Sequence, residues 1–175
     1  MKKLYILLAV CIKRTFFYTF GYTALLFLWA TSACAFDGLV TNVHDGDTIT
    51  VNNELGAPEK IRLLRADTPE LNGKKWGYQP YASEAKTATL NLCSGKVAKI
   101  ERHGIDRYGR TLGYIRCGGV DLATYLIQNG DAWVYRYSST KALRLMQITA
   151  KEKGLGLWAL PNPVEPILWR KNGMH

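Results

Sequence analysis

The stretch LVTNVHDGDTITV, residues 39–51, sets two short β-branched runs on either side of Asp45-Gly46. Asp-Gly between such runs is a hairpin signal, so 39–43 and 48–51 read as paired antiparallel strands. Asn52-Asn53 and Gly56-Ala57-Pro58 mark the next turn, and 59–64 returns as a third strand. Tyr81, Ala85, Ala88 and Leu92 then recur at helical spacing, with Pro80 before them and Ser94-Gly95 after, which predicts a first helix. A second hairpin, 96–101 with 111–116, supplies strands four and five. Asp121 can cap a helix over 122–129 that ends at Gly130. A third helix spans about 141–153, from Ser139 or Thr140 to Gly154, with Leu143, Met146 and Ala150 on its buried face. This order suits an α+β, mainly β fold, a five-stranded OB-type Greek-key barrel with three packed helices. The tail 161–175 carries Pro161, Pro163 and Pro166 and is expected to run extended over the surface.

Residues 1–35 are expected to lie outside the fold. Lys2, Lys3, Lys13 and Arg14 are the only charges before Asp37, and 15–35 is uncharged and mostly apolar. Ser32-Ala33-Cys34-Ala35 offers small residues at an export cleavage site, so a signal peptide removed after Ala35 is expected. The competing reading is a retained membrane anchor, because 21 uncharged residues can just span a bilayer. Both readings place the remainder outside the cytoplasm, periplasmic or secreted. Without the leader, 140 residues remain, enough for one compact domain over 36–160 with its tail. They carry 19 basic and 14 acidic side chains, a net +5 that suits a polyanionic partner without proving one. Cys93 and Cys117 lie symmetrically about Ile105, the middle of the second hairpin. Pairing of its strands would bring the chain just beyond them together, and an exported compartment favours a disulfide there. Zinc is not expected there, since no CxxC pair or clustered histidines accompany them. His44 and His103 are likewise expected to be structural or solvated.

Three strings carry chemistry: DGDT at 45–48, IRLLRADTPE at 61–70 and DRYGR at 106–110. Their carboxylates can hold a hard cation and their guanidinium groups a phosphate, which together suit metal-assisted cleavage of a phosphodiester. Asp47 follows the tight turn and Asp67 the end of the third strand, so two strand ends could build an open calcium site completed by a carbonyl and waters. Asp45 is expected to close the turn. Glu70 lies three residues beyond Asp67 and could accept a proton from, or orient, a metal-polarised water. Arg62 faces away from Ile61 and Leu63, and with Arg110 it can grip a phosphate in a planar fork that lysine cannot reproduce. Tyr135, Arg136 and Tyr137 offer aromatic faces beside positive charge, fit either for stacking bases or for packing at the barrel edge.

In their order and spacing these strings resemble the staphylococcal (micrococcal) nuclease, or thermonuclease-like, family, from about Asp37 to Trp158. The resemblance implies the same barrel. It also implies calcium on Asp47, Asp67 and the backbone carbonyl of Thr68, with Glu70 at the position of the family's proposed general base. It makes Arg62 and Arg110 catalytic, Tyr108 a nucleotide contact, and Arg107 a phosphate contact where a well-known member has lysine. The activity expected is calcium-dependent hydrolysis of DNA and RNA with little sequence preference, leaving 3′-phosphate ends. Single-stranded substrate and a monomeric enzyme are expected as well. Pro166-Ile167-Leu168-Trp169-Arg170 departs from exported relatives in lacking a tryptophan after the proline. The rivals are a non-catalytic OB-fold nucleic-acid binder and an envelope-anchored adaptor. Retention of Asp47, Asp67, Glu70, Arg62 and Arg110 speaks against the first; an occluded site would favour the second.

Overall fold

A computed structural model describes residues 35–71 and 77–172. The leader expected over 1–35 lies, except for Ala35, outside them, so its cleavage or retention has no structural counterpart here. Among the described residues no helix is long and apolar enough to cross a membrane.

The Asp45-Gly46 turn joins β1 (Ala35–Asp45) to β2 (Thr48–Asn52), and β3 (Pro58–Leu63) pairs with β2 in antiparallel register. β1 pairs on its other side with β5 (Val97–Ile105), and β5 with β6 (Thr111–Cys117). Two register shifts along β1, at Val40–Asn42 and Val43–Asp45, let one strand coil between two neighbours. A parallel pairing of β3 with β6, Ile61 opposite Thr111, closes the five strands into a barrel. β7 (Val120–Asp121) lengthens the edge beyond β6. Strand alternation fills the interior: Val40, Val43, Ile49, Val51, Ile61, Leu63, Ile100 and Ile115 are all buried. At the rim, Glu59 ties three strands by accepting bonds from Arg102 Nη2 at 2.7 Å and Thr111 Oγ1 at 2.8 Å.

Helix α1 (Ala82–Cys93) covers one end of the barrel, α2 (Leu122–Asn129) inserts Leu122, Leu126 and Ile127 into the core, and α3 (Lys141–Glu152) packs on α2. The Asp121 side chain caps α2 through the Thr124 amide, and Gly130 ends it at φ 78°, a conformation that suits glycine. Leu143 and Ala150 are buried on α3, with Met146 partly so, as its pattern predicts.

Two expectations need correction. The buried face of α1 is Ala82, Ala85, Thr89 and Cys93, so the stripe is rotated from the one read through Tyr81, Ala88 and Leu92. Polar and sulfur chemistry turned it: the Thr89 hydroxyl donates to Gly46 O at 2.6 Å, and Cys93 is bonded to Cys117. Tyr81 stands before the helix in a left-handed conformation (φ 73°) and donates its hydroxyl to Asp131 at 2.9 Å. The tail is not extended throughout, because Pro166–Asn172 forms a helix, α4. Proline lacks only an N–H that the first helical turn leaves unused, so Pro166 begins this helix rather than forbidding it.

The expected disulfide forms between Cys93 at the end of α1 and Cys117 at the end of β6, with Cα atoms 5.3 Å apart. Both cysteines are buried, so the bridge pins the helix to the hairpin from within the core.

Candidate active site

The turn at 45–48 is tied at both ends. Asp45 accepts the Asp47 amide at 3.1 Å, which gives it the structural role expected of it. Gly46 is required by close approach: a Cβ there would fall 2.7 Å from Thr68 Cγ2. The turn thus packs directly on the segment after β3, and the Thr68 amide donates to Asp47 Oδ2 at 2.9 Å. That segment is redirected at Arg65, a non-glycine residue in the left-handed region (φ 71°). Arg65 is held there by Asp121 at 2.6 Å and by the Tyr114 ring at 4.1 Å, and its carbonyl accepts the Tyr135 amide at 2.8 Å. Beyond the bend, β4 (Ala66–Asp67) pairs with β8 (Trp133–Val134), which fixes Asp67 opposite Trp133.

Asp47 is fully buried and Asp67 is 4% exposed, and one guanidinium bridges them. Arg62 Nη1 donates to Asp47 Oδ1 and Nη2 to Asp67 Oδ1, so both carboxylates point at one place. Burial works against the charge on Arg62, but Asp47 and Asp67 together hold it above its ordinary affinity for a proton. Burial pushes the Asp47 carboxyl up to about 7, Arg62 pulls it back and Asp45 adds to the rise. Burial, then the charge of Asp47, likewise raises Glu70, against the pull of Arg170 and Arg62.

Glu70 is set by a residue that carries no recognisable motif. Gln79, 3% exposed, accepts the Glu70 amide at 3.1 Å, while its own amide donates to Glu70 O at 2.8 Å. Its side-chain nitrogen donates to Val164 O at 2.7 Å, which joins the site to the tail. The tail in turn delivers Arg170 to the carboxylates. Arg170 Nη2 meets Asp67 Oδ2 at 2.8 Å, Nη1 meets Asp67 Oδ1 at 3.1 Å, and Nη1 also donates to Glu70. Burial opposes its charge, but Asp67 and Glu70 hold it ionised well beyond an ordinary arginine. Neither Gln79 nor Arg170 belongs to any of the three sequence strings that point to the chemistry. They stand 85 and 103 residues from the partners they bind, Val164 and Asp67, and no local pattern announces such pairs.

An open cleft of about 740 Å³ runs from this cluster, lined by Arg62, Glu70, Arg170, Lys60, His44, Arg107, Tyr108, Arg110 and Tyr135 among others. Arg110 reaches it from the 106–110 loop, where Asp106 accepts its Nε and Nη2 at 2.7 Å each. Tyr108 is exposed, beside Arg107, whose Nη2 donates to the Tyr108 hydroxyl at 2.7 Å. Tyr135 lines the cleft, and Tyr137 packs edge-on against it at 5.6 Å. Arg136 is engaged elsewhere, with Glu165 at 2.6 Å. His44, at the cleft, bonds Thr50 at 2.8 Å, and the His103 ring lies tilted against Tyr114 at 4.2 Å.

Among the described residues no three His, Cys, Asp or Glu side chains form a ready-made metal cage. The site offers a buried pair of hard carboxylates on one cation position, with Glu70 beside it. That donor set fits an ion that completes its shell with carbonyls, waters and substrate oxygens, as calcium does, and does not fit a soft metal.

Comparison with known proteins agrees with this layout. The family model for staphylococcal nuclease homologues matches residues 60–160, which include Arg62, Asp67, Glu70 and Arg110. A protein named as an uncharacterized endonuclease in Escherichia coli O157:H7 is 33% identical over 147 residues, covering 83% of this chain and 92% of that protein. Another so named in Haemophilus influenzae is 32% identical over 154 residues, covering 85% and 83%. A staphylococcal-like nuclease of Arabidopsis thaliana is 36% identical over 127 residues, 71% of this chain and 38% of the plant protein. A closed mixed barrel, with Asp47 in the turn before β2 and Asp67 at the end of β4, and a match over more than half the chain, places this protein in the staphylococcal nuclease family.

Proposed function

We propose that this nuclease is exported and hydrolyses phosphodiester bonds of DNA and RNA with little sequence preference, using calcium and leaving 3′-phosphate ends. The observation that carries the reading is the convergence of Asp47, Asp67 and Glu70 on the Arg62 end of a cleft that Arg110 also lines. Asp47, Asp67 and the Thr68 carbonyl would hold the ion, which when bound polarises the scissile phosphate and its attacking water. Glu70 takes or orients the proton of that water, its backbone clamped on both sides by Gln79. Arg62 and Arg110 each rest on carboxylates and exchange them for the phosphate. Their forks then bind its non-bridging oxygens and the charge added in the transition state.

Tyr108, Arg107 and Tyr135 line the cleft, and Tyr137 packs against Tyr135 to extend the platform. Ring faces stack any base, which supports low sequence preference and favours single strands. Residues 36–160 are the catalytic domain and 1–35 the leader, cleaved or kept as an anchor, with a monomer sufficient for activity. The buried Cys93–Cys117 bridge supports an oxidising destination.

End-group analysis tests the reading. Fragments from a 5′-labelled single-stranded DNA should resist ligation until a phosphatase removes a 3′-phosphate. Fragments with 3′-hydroxyl ends would refute the assigned direction of cleavage, and uncut DNA would make the protein a binder.

A further inference from the structure

We propose that Arg170 is a further substrate-binding residue of this site, an internal counter-cation that holds Asp67 and Glu70 together, yields Asp67 to the metal, and turns its freed fork to substrate phosphate. The proposal rests on the calcium-dependent reading above. Three carboxylates, Asp47, Asp67 and Glu70, are bridged by two guanidinium groups. Arg170 occupies both oxygens of Asp67, and Arg62 shares one of them. A divalent ion on Asp67 must take lone pairs and charge that Arg170 now uses. The bond from Arg170 to Glu70 can persist meanwhile, so the side chain stays tethered inside the cleft it already lines, facing the same volume as Arg62 and Arg110.

The delivery of Arg170 is built into the fold. Gln79 holds Val164 O, Glu165 O accepts the amides of Leu168 and Trp169 at 2.9 and 3.0 Å, and Trp169 lines a small cavity with Pro69 and Gln79. The tail is therefore docked on the same segment that carries Asp67 and Glu70. None of these anchors uses the Arg170 guanidinium, so the tail can stay seated while the fork changes partners.

Two binding measurements on the full chain test this. Calcium titrated calorimetrically without nucleic acid should bind Arg170→Gln at least about threefold more tightly than the wild type, because a competing charge next to the ligand has been removed. In saturating calcium, a single-stranded phosphorothioate oligonucleotide should bind the same variant at least about threefold more weakly, for loss of a charged fork. Arg170→Lys keeps the charge but not the fork, so it should weaken oligonucleotide binding while changing calcium affinity less. Unchanged or weaker calcium binding by Arg170→Gln, or unchanged oligonucleotide binding, overturns the role of Arg170 alone. A wild-type protein that binds no calcium overturns the metal reading and this role with it.

Discussion

Gln79 offers the most demanding prediction, because no chemistry is assigned to it. Replacing it by alanine leaves the Glu70 amide and the Val164 carbonyl without their partners, now at 3.1 and 2.7 Å. A buried group stripped of its partner costs about 1–3 kcal/mol. Both sites are only partly buried, so about 2–4 kcal/mol is expected for the pair, with a small cavity term beside the existing void at Pro69 and Trp169. For a domain of this size that lowers the melting temperature by roughly 6–15 °C. Turnover should fall further than stability explains, by about tenfold or more at a temperature where the variant is folded, since Glu70 loses one of its clamps. Gln79→Leu restores the volume but not the bonds. It should recover part of the stability and little of the turnover. Thermal melts and single-turnover cleavage read the two effects separately. A Gln79→Leu enzyme as active as the wild type would refute the claim that these bonds set Glu70.

Arg62→Lys and Arg110→Lys keep charge but lose the fork, so each should lower turnover about a hundredfold, from roughly 3 kcal/mol of lost transition-state stabilisation, while oligonucleotide binding falls much less. Near-normal kcat in either variant would count against its place on the phosphate. Replacing Cys93 and Cys117 together by alanine should cost about 3–4 kcal/mol on the chain-entropy account and leave cleavage intact at low temperature. Free thiols mapped to Cys93 and Cys117 in the denatured, non-reduced wild type would contradict the bridge. Hydrogen bonds from Arg102 hold the Glu59 carboxyl below its ordinary 4.5 in the folded state, with Thr111 and Asn53 assisting. Its contribution is therefore fully present above pH 4.5 and is lost as pH falls through the lower folded value. Stability measured against pH should show the gap between wild type and Glu59→Gln closing across that acidic window; a gap constant with pH would argue against it.

The barrel was legible because its strands alternate and its turns use Asp-Gly and Asn-Asn, both local signals. The cluster was legible in part: Asp47, Arg62, Asp67 and Glu70 lie within 24 residues along the first hairpin, the third strand and the segment after it, while the bend at Arg65 and the β4–β8 pairing that seat Asp67 have no local signal. What escaped was long-range. Gln79 and Arg170 are an ordinary glutamine and an ordinary arginine until the tail folds back onto Asp67, Glu70 and the segment before α1. Pro166 suggests extended chain on sequence alone, although proline equally begins a helix. On α1 the stripe was placed a step away because small and polar residues, Ala82 and Thr89, take the buried positions through close contact and a hydrogen bond to Gly46 rather than through hydrophobicity.

The central claim is that Asp47 and Asp67 hold a hard divalent ion on which phosphodiester cleavage depends. It is tested most directly by incubating the purified protein with single-stranded DNA in calcium, in magnesium, and in EGTA with no other divalent ion. The account predicts rapid cleavage in calcium, little in magnesium, whose rigid octahedral shell fits an open two-aspartate site poorly, and none in EGTA. Full cleavage in EGTA would contradict it.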